Sequence, residues 1–517
     1  MRKDTISTIV STSPSTVQDA SEKVIYIEFN EGDVRNPANY SRFKKCTITL
    51  TACIFAATTS AAASSYAISN SSMTNELKCS DIEAALGLGL YAVGFGVTPL
   101  ITSSFSEEVG RRPAYIVSSI MFTLTQVMVA LAPNIQTVIM GRVLGGIFGS
   151  TGASLVGGTI ADIWLPHERG LPMAFFAFSS MFSFGMGSVI GGLIASQPNM
   201  GWRWVQWIHA MTSAMYAVLV LMVMSETRSS IILARLARDA RRVSGDNRVK
   251  ARIEVERESL LSLIKVACTR PLYFLFTEPL VQSFSLWAGF TWGVMYCLLE
   301  AISPMFRSVY GFTVRQTGFM FGALSVGAVL GLLGNLYQNK LYMCVFYTEH
   351  LLQLTPARIC RRRYAQRKQE ARLYSACVAA ILLPIGMFVV AWTSTPSIPW
   401  IVPVMGLTVF MAGVAVIFQV AFLYLADCYN TYASSAQAGQ SLSRNLLALL
   451  FPVVSPRMFA SLGYKWGLTL FGLLAVLMAP TPFVLFAYGA KIRARSIASR
   501  NILAADSESE HGDSGGV

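Results

Sequence analysis

The chain has 517 residues, length enough for several soluble domains, yet only 13% of them are charged and 53% are hydrophobic. A soluble globule of that size carries roughly a quarter charged residues, whereas here uncharged runs of about 20 residues recur, the length that crosses a bilayer as helix; composition excludes a soluble protein and indicates a polytopic membrane protein. The formal charge of +13 does not indicate nucleic acid, because Lys and Arg cluster between apolar runs and form no basic stripe with interleaved aromatics.

In chain order, residues 1–45, with "STIVSTSPSTVQDASEKV", are polar, lack a signal-peptide pattern and read as a largely disordered cytoplasmic tail. Apolar runs then predict spans near 46–68, 82–104, 113–132, 135–160, 172–196 and 204–224, which make up a first bundle over 46–224. Residues 225–270 carry both charges, with Ile, Leu and Val at spacings of three and four, and predict an amphipathic helix on the membrane face. A second set lies near 271–300, 315–337, 373–392, 399–425, 436–460 and 464–490, a second bundle over 271–490 interrupted by a basic loop at 338–372 and followed by a tail at 491–517. The fold class expected is therefore all-α membrane protein, twelve transmembrane helices in two six-helix bundles.

With both termini inside, roughly 33 of the 41 Lys+Arg fall on the cytoplasmic side and about six outside. Shifting the count by one helix reverses that bias. Of the cysteines only Cys79 is expected outside, so no disulfide framework is expected. The scattered His167, His209, His350 and His511 support no metal site, and no cofactor is implied. Asn70 opens an "NSS" sequon on the outer side, close to the first span.

The charged stretch "FSEEVGRRP" at 105–113 lies between spans two and three. Through Phe105, Ser106, Glu107, Gly110, Arg111 and Arg112 it resembles the pattern GxLADRxGRK of the major facilitator superfamily, departing at Ser103 and Glu108. It is closer still to the "PLSEIYGRRP" common in fungal members. "GRVLGGIFG" in span four resembles RxxxG through Arg142 and Gly146, and "GMGSVIGG" in span five resembles the antiporter pattern GxxxGPxxGG through Gly187, Gly191 and Gly192, with Ser188 at the proline position. "WRWVQWI", "ETR" at 226–228, "TRPLYFLFTEP", "SLWAGFTWGVMY", "EARLY" at 370–374 and "YASSAQAGQSLSRN" extend the resemblance, over about 40–495, to the fungal drug:proton antiporter branch with twelve spans.

That resemblance implies two pseudo-symmetric halves that rock about a central cavity, with Glu107, Gly110, Arg111 and Arg112 gating the cytoplasmic end, Glu107 near the start of span eleven. From charge placement alone, the same loop reads as a positive-inside anchor. Arg142 stands well inside a span, where an unpaired guanidinium costs ~2.5–3.5 kcal/mol or more, and is functional by default; Arg444 reaches the interface more easily. The span-five glycines permit close packing or a hinge. Trp287, Trp292 and Tyr296 are candidates for cavity walls, and Gln282, Gln419, Gln440 and Asn445 for polar contacts. Proton coupling wants an embedded carboxylate; span one has none, and Glu278 and Glu300, toward the two ends of span seven, are the candidates.

The resemblance implies a monomeric plasma-membrane exporter of a small organic molecule, a secondary metabolite or drugs, driven by protons. Two other readings remain at this stage: a carrier of one organic acid anion such as a dicarboxylate, with Arg142 as counter-charge, and a transport-inactive sensor or scaffold. No nucleophile, base and orienting group can be assembled, so no enzyme is expected.

Overall fold

A backbone in hydrocarbon must satisfy its own polar groups, which leaves helices as the answer for apolar runs of this length. The computed structural model describes residues 24–30, 32–165, 168–255, 260–347, 368–429 and 432–495, with the backbone alone at Glu107 and a few other helical positions. The tails and most of the basic loop 338–372 lie outside these residues. Spans one to six are Arg42–Ile68, Asp81–Val109, Arg111–Ala130, Ile135–Ile163, Gly170–Ala195 and Trp202–Val223. Span seven is Pro279–Tyr310, span eight Val314–Met320 continued by Gly322–Tyr347, span nine Leu373–Thr393 and span ten Ile401–Tyr429.

The last apolar helix, Ala433–Arg493, runs for 61 residues, about 90 Å at 1.5 Å per residue and so about three times the hydrocarbon thickness. It turns back at Gly463, whose φ of 72° and ψ of 167° are non-helical, so spans eleven and twelve are 433–462 and 464–495. The all-α fold of twelve spans is thus the one read from the sequence.

The halves repeat each other in detail. Span two starts with a capping box in which Ser80 Oγ accepts from Glu83 N at 3.3 Å and Glu83 Oε2 accepts from Ser80 N at 2.8 Å. Its counterpart, span eight, starts with the same device built from Thr313 and Gln316. Span one packs on span five as span seven packs on span eleven, and span two on span four as span eight on span ten. Glycine makes these approaches close: a Cβ on Gly146 would lie 2.1 Å from Tyr91 O, and one on Gly327 2.5 Å from Thr408 O.

Two seams join the halves. Gly96 and Gly89 of span two press on Asn445 and Leu449 of span eleven, where added Cβ atoms would come within 2.6 Å. Gly185 and Gly192 of span five meet Ser325 and Gly318 of span eight, and Ser325 Oγ donates to Phe182 O at 2.8 Å. We call the membrane side that carries Arg111 and Arg372 the basic face and the other the opposite face.

Two details differ from the sequence expectation. Span seven begins at Pro279, because a residue before proline is pushed out of the α region: Glu278 is extended (φ −97°, ψ 112°) and separates Pro279–Tyr310 from a helix over Leu260–Thr277. The amphipathic helix exists as Ser229–Ser244, but its apolar side, Leu233, Ala234, Ala237 and Ala240, covers a two-stranded parallel pair, Ile25–Tyr26 with Val249–Lys250, and not a membrane face. An arginine fork from Arg241 to Glu254, at 2.7 and 2.8 Å, closes this unit.

The Gly463 backbone lies in a region essentially reserved for glycine, where another residue costs about 1–3 kcal/mol. Nothing lies within 4 Å of a Cβ there or at Gly201, whose φ is −73°. Gly463→Ala is expected to lower the apparent Tm of the purified protein, and Gly201→Ala to leave it unchanged.

Candidate functional site

Arg142 is the most deeply placed charge in the first half, 1% exposed. It forms no ion pair among the described residues. Instead Nη1 donates to Ala62 O at 2.9 Å, Nε to Gly87 O at 3.3 Å and Nη2 to Ala63 O at 3.4 Å. The guanidinium lies 4.5 Å from the ring of Tyr66 and 4.3 Å from that of Tyr91. Each phenol is oriented by its own bond, Tyr66 OH to Ala84 O at 3.1 Å and Tyr91 OH to Thr59 O at 2.9 Å. Charge-assisted bonds of roughly 1.5–3 kcal/mol and cation–π contacts of about 2 kcal/mol when desolvated are together of the size needed to hold a guanidinium there. Arg142 thus ties spans one, two and four together.

Arg444 is the counterpart in the second half, on span eleven and 8% exposed. Its guanidinium is 4.5 Å from the Trp292 ring and 4.8 Å from the Phe418 ring, and Nη2 donates to Ser441 Oγ at 3.3 Å. Trp292 and Tyr296, one turn apart on span seven, meet Phe184 of span five edge-on at 5.7 and 5.8 Å. An aromatic cluster therefore crosses from one half to the other. Trp287 does not join it: the ring packs on Phe284, which reaches Tyr424. Gln419, Gln440 and Asn445 are buried; Asn445 Nδ2 donates to Ser441 O at 2.8 Å on its own helix. Gln282 is exposed, and its Nε2 donates to Phe276 O at 2.7 Å across the break before span seven.

The two acids of span seven have different surroundings. Glu278 is buried near the basic face, where Oε2 accepts from Tyr429 OH at 3.0 Å. Glu300 sits toward the opposite face, and Oε2 accepts from Asn70 Nδ2 at 2.7 Å. Asn70 opens the short helix Asn70–Leu77, and next to it Arg307 Nη1 donates to Ser71 Oγ at 3.2 Å. These bonds fasten the halves on the opposite face. The amide of the Asn70 sequon is thus bonded to a carboxylate of the other half.

At the basic face, Gly110 (φ 105°, ψ 160°) turns the chain between spans two and three. Glu226, just past span six, accepts from the backbone N–H groups of Arg111 at 2.9 Å, Arg112 at 3.3 Å, Thr227 at 3.1 Å and Arg228 at 3.0 Å. A carboxylate at the N-terminus of span three also suits the helix dipole. Arg111 pairs with Asp162 at the end of span four at 3.1 Å and donates to Ser106 Oγ at 2.6 Å, while Arg228 reaches Asp162 at 3.4 Å. Arg112 Nη2 donates to Leu221 O at 3.4 Å. All these partners belong to the first half or to the segment just after it. The Glu107 side chain lies outside the described residues.

The second half repeats the device. Arg372, preceding span nine, pairs with Asp427 at the end of span ten, and Glu370 pairs with Arg493 of span twelve at 2.6 Å. Asp162 and Asp427 were not singled out from the sequence, although each follows an alanine at the end of its span, "TIADIW" and "YLADCY"; that recurrence was the available signal. Among the motif glycines, Gly187 and Gly191 press span five on Ala61 and Ser65 of span one, whereas Gly192 presses it on span eight, and Ser188 Oγ donates to Ser64 O at 3.0 Å.

A Cβ on Gly110 would lie 2.4 Å from Glu226 Oε2, in addition to about 1–3 kcal/mol of backbone strain. Gly110→Ala and Glu226→Ala, the latter leaving several amides without acceptors at about 1–3 kcal/mol each, are expected to lower the Tm more than Arg112→Ala does.

The family profile described as Major Facilitator Superfamily matches residues 50–444. Efflux pump atB of Aspergillus terreus is 34% identical over 401 residues, 78% of this chain and 82% of that protein. The citrinin biosynthesis cluster MFS transporter mrr1 of Monascus ruber is 29% identical over 495 residues, 93% of this chain and 94% of that one. Among solved structures, the proton:xylose symporter XylE from E. coli superposes with a TM-score of 0.60 at 15% identity, over 87% of this chain and 96% of that one, a likeness of fold. The chain is a multi-pass membrane transporter rather than an enzyme, and it belongs to the major facilitator superfamily.

Proposed function

We propose that the protein exports a small organic molecule, a secondary metabolite or a drug, across the plasma membrane by proton antiport, with its basic face and both termini in the cytoplasm. The observation that carries the export reading is the likeness, over most of the chain, to proteins called an efflux pump and a metabolite-cluster transporter. Alternating access is supported by the two seams, which close on small residues, and by bonds such as Asn70–Glu300 that join the halves on the opposite face. In this reading Arg142 and Gly146 hold the first-half core on which Glu300 acts, and Trp292, Tyr296, Gln440 and Asn445 line the substrate path. Trp287, Gln282 and Glu278 support it from behind.

Glu300 is the proton carrier in this account. It is half-buried in the part of span seven toward the opposite face, and its Oε1 atom is buried with no hydrogen-bond partner among the described residues. The charged and titratable groups around it are Arg142 of span four, Asp81 of span two, Tyr66 of span one and Cys297 of its own helix, with Asn70 bonded to it. Protonating Glu300 weakens its bond to Asn70 and releases the opposite-face fastening.

Proteoliposomes containing a pH indicator and offered anionic, neutral and cationic aromatic probes test the proposal. A transported probe should move protons in the counter direction, and Glu300→Gln should cut that coupled flux by about tenfold or more; flux that ignores both the gradient and the substitution overturns antiport. Glu107, Gly110, Arg111 and Arg112 gate the basic face, so Glu107→Ala is expected to slow transport more than Glu108→Ala, and equal rates would remove Glu107 from the gate. A carrier of an organic acid anion is the second reading, favoured by one observation: the two deepest side-chain charges at the centre are both arginines.

A further inference from the structure

The second-half centre contains two buried donors with nothing to donate to. Trp292 Nε1 and Arg444 Nε, on residues 7% and 8% exposed, have no hydrogen-bond partner among the described residues. Neither atom can accept a hydrogen bond, so whatever satisfies them must bring hydrogen-bond acceptors, and beside a guanidinium an anionic oxygen is the strongest of these. They are close together, since the Arg444 guanidinium is 4.5 Å from the Trp292 ring. The acids of span seven are committed elsewhere, Glu278 to Tyr429 and Glu300 to Asn70. Arg444 forms no ion pair among the described residues, and its positive charge is balanced only by ring faces and one serine hydroxyl.

The surroundings of the two donors are flat and aromatic. Trp292 and Phe418 stack at 5.5 Å with 22° between their planes, and Tyr296 and Phe184 complete the wall from spans seven and five. Phe418 is only partly buried, and Phe422, one turn further toward the basic face, follows it at 6.5 Å. Across from Phe422 stands Gly157 of span four, where a Cβ would still clear the ring by 3.8 Å. A strip of ring faces therefore leads from the basic face to Trp292 and Arg444, and it ends on donors.

Resting on the export reading above, we infer that this cluster is the substrate site and that its substrate is a planar aromatic acid, a carboxylate or phenolate whose oxygen takes the Arg444 Nε–H and Trp292 Nε1–H while its ring stacks on the aromatic wall. Rings and a free cation together disfavour the other two classes: a lipophilic cation is repelled by Arg444, and an aliphatic dicarboxylate leaves the ring faces unused. Anionic hydrogen bonds to buried donors are the strong ones, and an aromatic face adds an attraction that an aliphatic acid lacks.

Equilibrium binding of 2-naphthoate, 2-naphthylmethylammonium and succinate to the full-length protein in lipid nanodiscs tests this, with each variant's melting transition measured alongside. 2-Naphthoate should bind, and the ammonium and succinate about tenfold more weakly or worse. Arg444→Gln should weaken naphthoate binding by about tenfold or more, and Trp292→Phe, which keeps the ring and removes the N–H, by about threefold or more. Arg444→Lys, which keeps the charge, should bind better than Arg444→Gln and serves if the latter fails to fold. The inference is overturned if naphthoate does not bind, if the ammonium or succinate binds as tightly, or if folded Arg444→Gln binds like the unaltered protein. No gradient is present in this measurement, so naphthoate binding without proton-coupled flux would remove antiport and leave the aromatic-acid site standing.

Discussion

A guanidinium held in hydrocarbon must be compensated where it stands, and the position of Arg142 constrains much of the first half. Its donors take carbonyls on spans one and two, so those spans must approach span four closely, and the glycines allow it. A Cβ on Gly87 would lie 2.3 Å from the hydroxyl of Tyr66, and one on Gly146 would overlap the carbonyl of Tyr91. The two phenols that sandwich the charge are fixed in turn by carbonyls of neighbouring spans. Charge, rings and glycines form one unit, and altering any of them disturbs the others.

The second half solves the same problem differently. Arg444 leans on Trp292 and Phe418 and leaves a donor free. One half thus presents an arginine with a bond on each of its three nitrogens and the other an arginine with an unbonded Nε, across an aromatic cluster shared by both. In our reading the first arginine holds structure and the second meets substrate. Rigid bundles with one soft, unsatisfied centre between them are what a rocking mechanism needs, because the charge-paired ends keep each half intact while the seam changes. In the same reading the Arg111–Asp162 and Arg372–Asp427 pairs at the basic face serve that purpose, each within its own half.

The fold was legible because bilayer thickness turns composition into length: apolar runs of about 20 residues count helices almost regardless of sequence. The turn at Gly463 shows in the chain only as a glycine among apolar residues, and its extended, positive-φ backbone had to be seen. Glu226 lay inside a recognised "ETR", but its role as acceptor for the start of span three depends on a contact 115 residues away. Arg142 was legible because charge in a span is costly. Trp287 was not separable from Trp292 and Tyr296: residues five apart point in different directions on a helix, and the segment is apolar on every side, so no stripe marks the facing side. Gln282 was not separable from the buried Gln419, Gln440 and Asn445 for a related reason: the chain does not show that it is exposed and bonds across the break before span seven.

Alternating access about this centre is the claim on which the rest stands, and the fastening on the opposite face is where it is most directly measured. Asn75 and Ser308 are exposed there, on the short helix after span one and at the end of span seven. Spin labels at these two positions report the separation of the halves by pulsed electron resonance without touching Asn70 or Glu300. Two separations are predicted, the shorter one dominant near neutral pH and the longer one gaining population as the pH falls and Glu300 takes up its proton. A single separation, unchanged across pH and probe, would contradict the account.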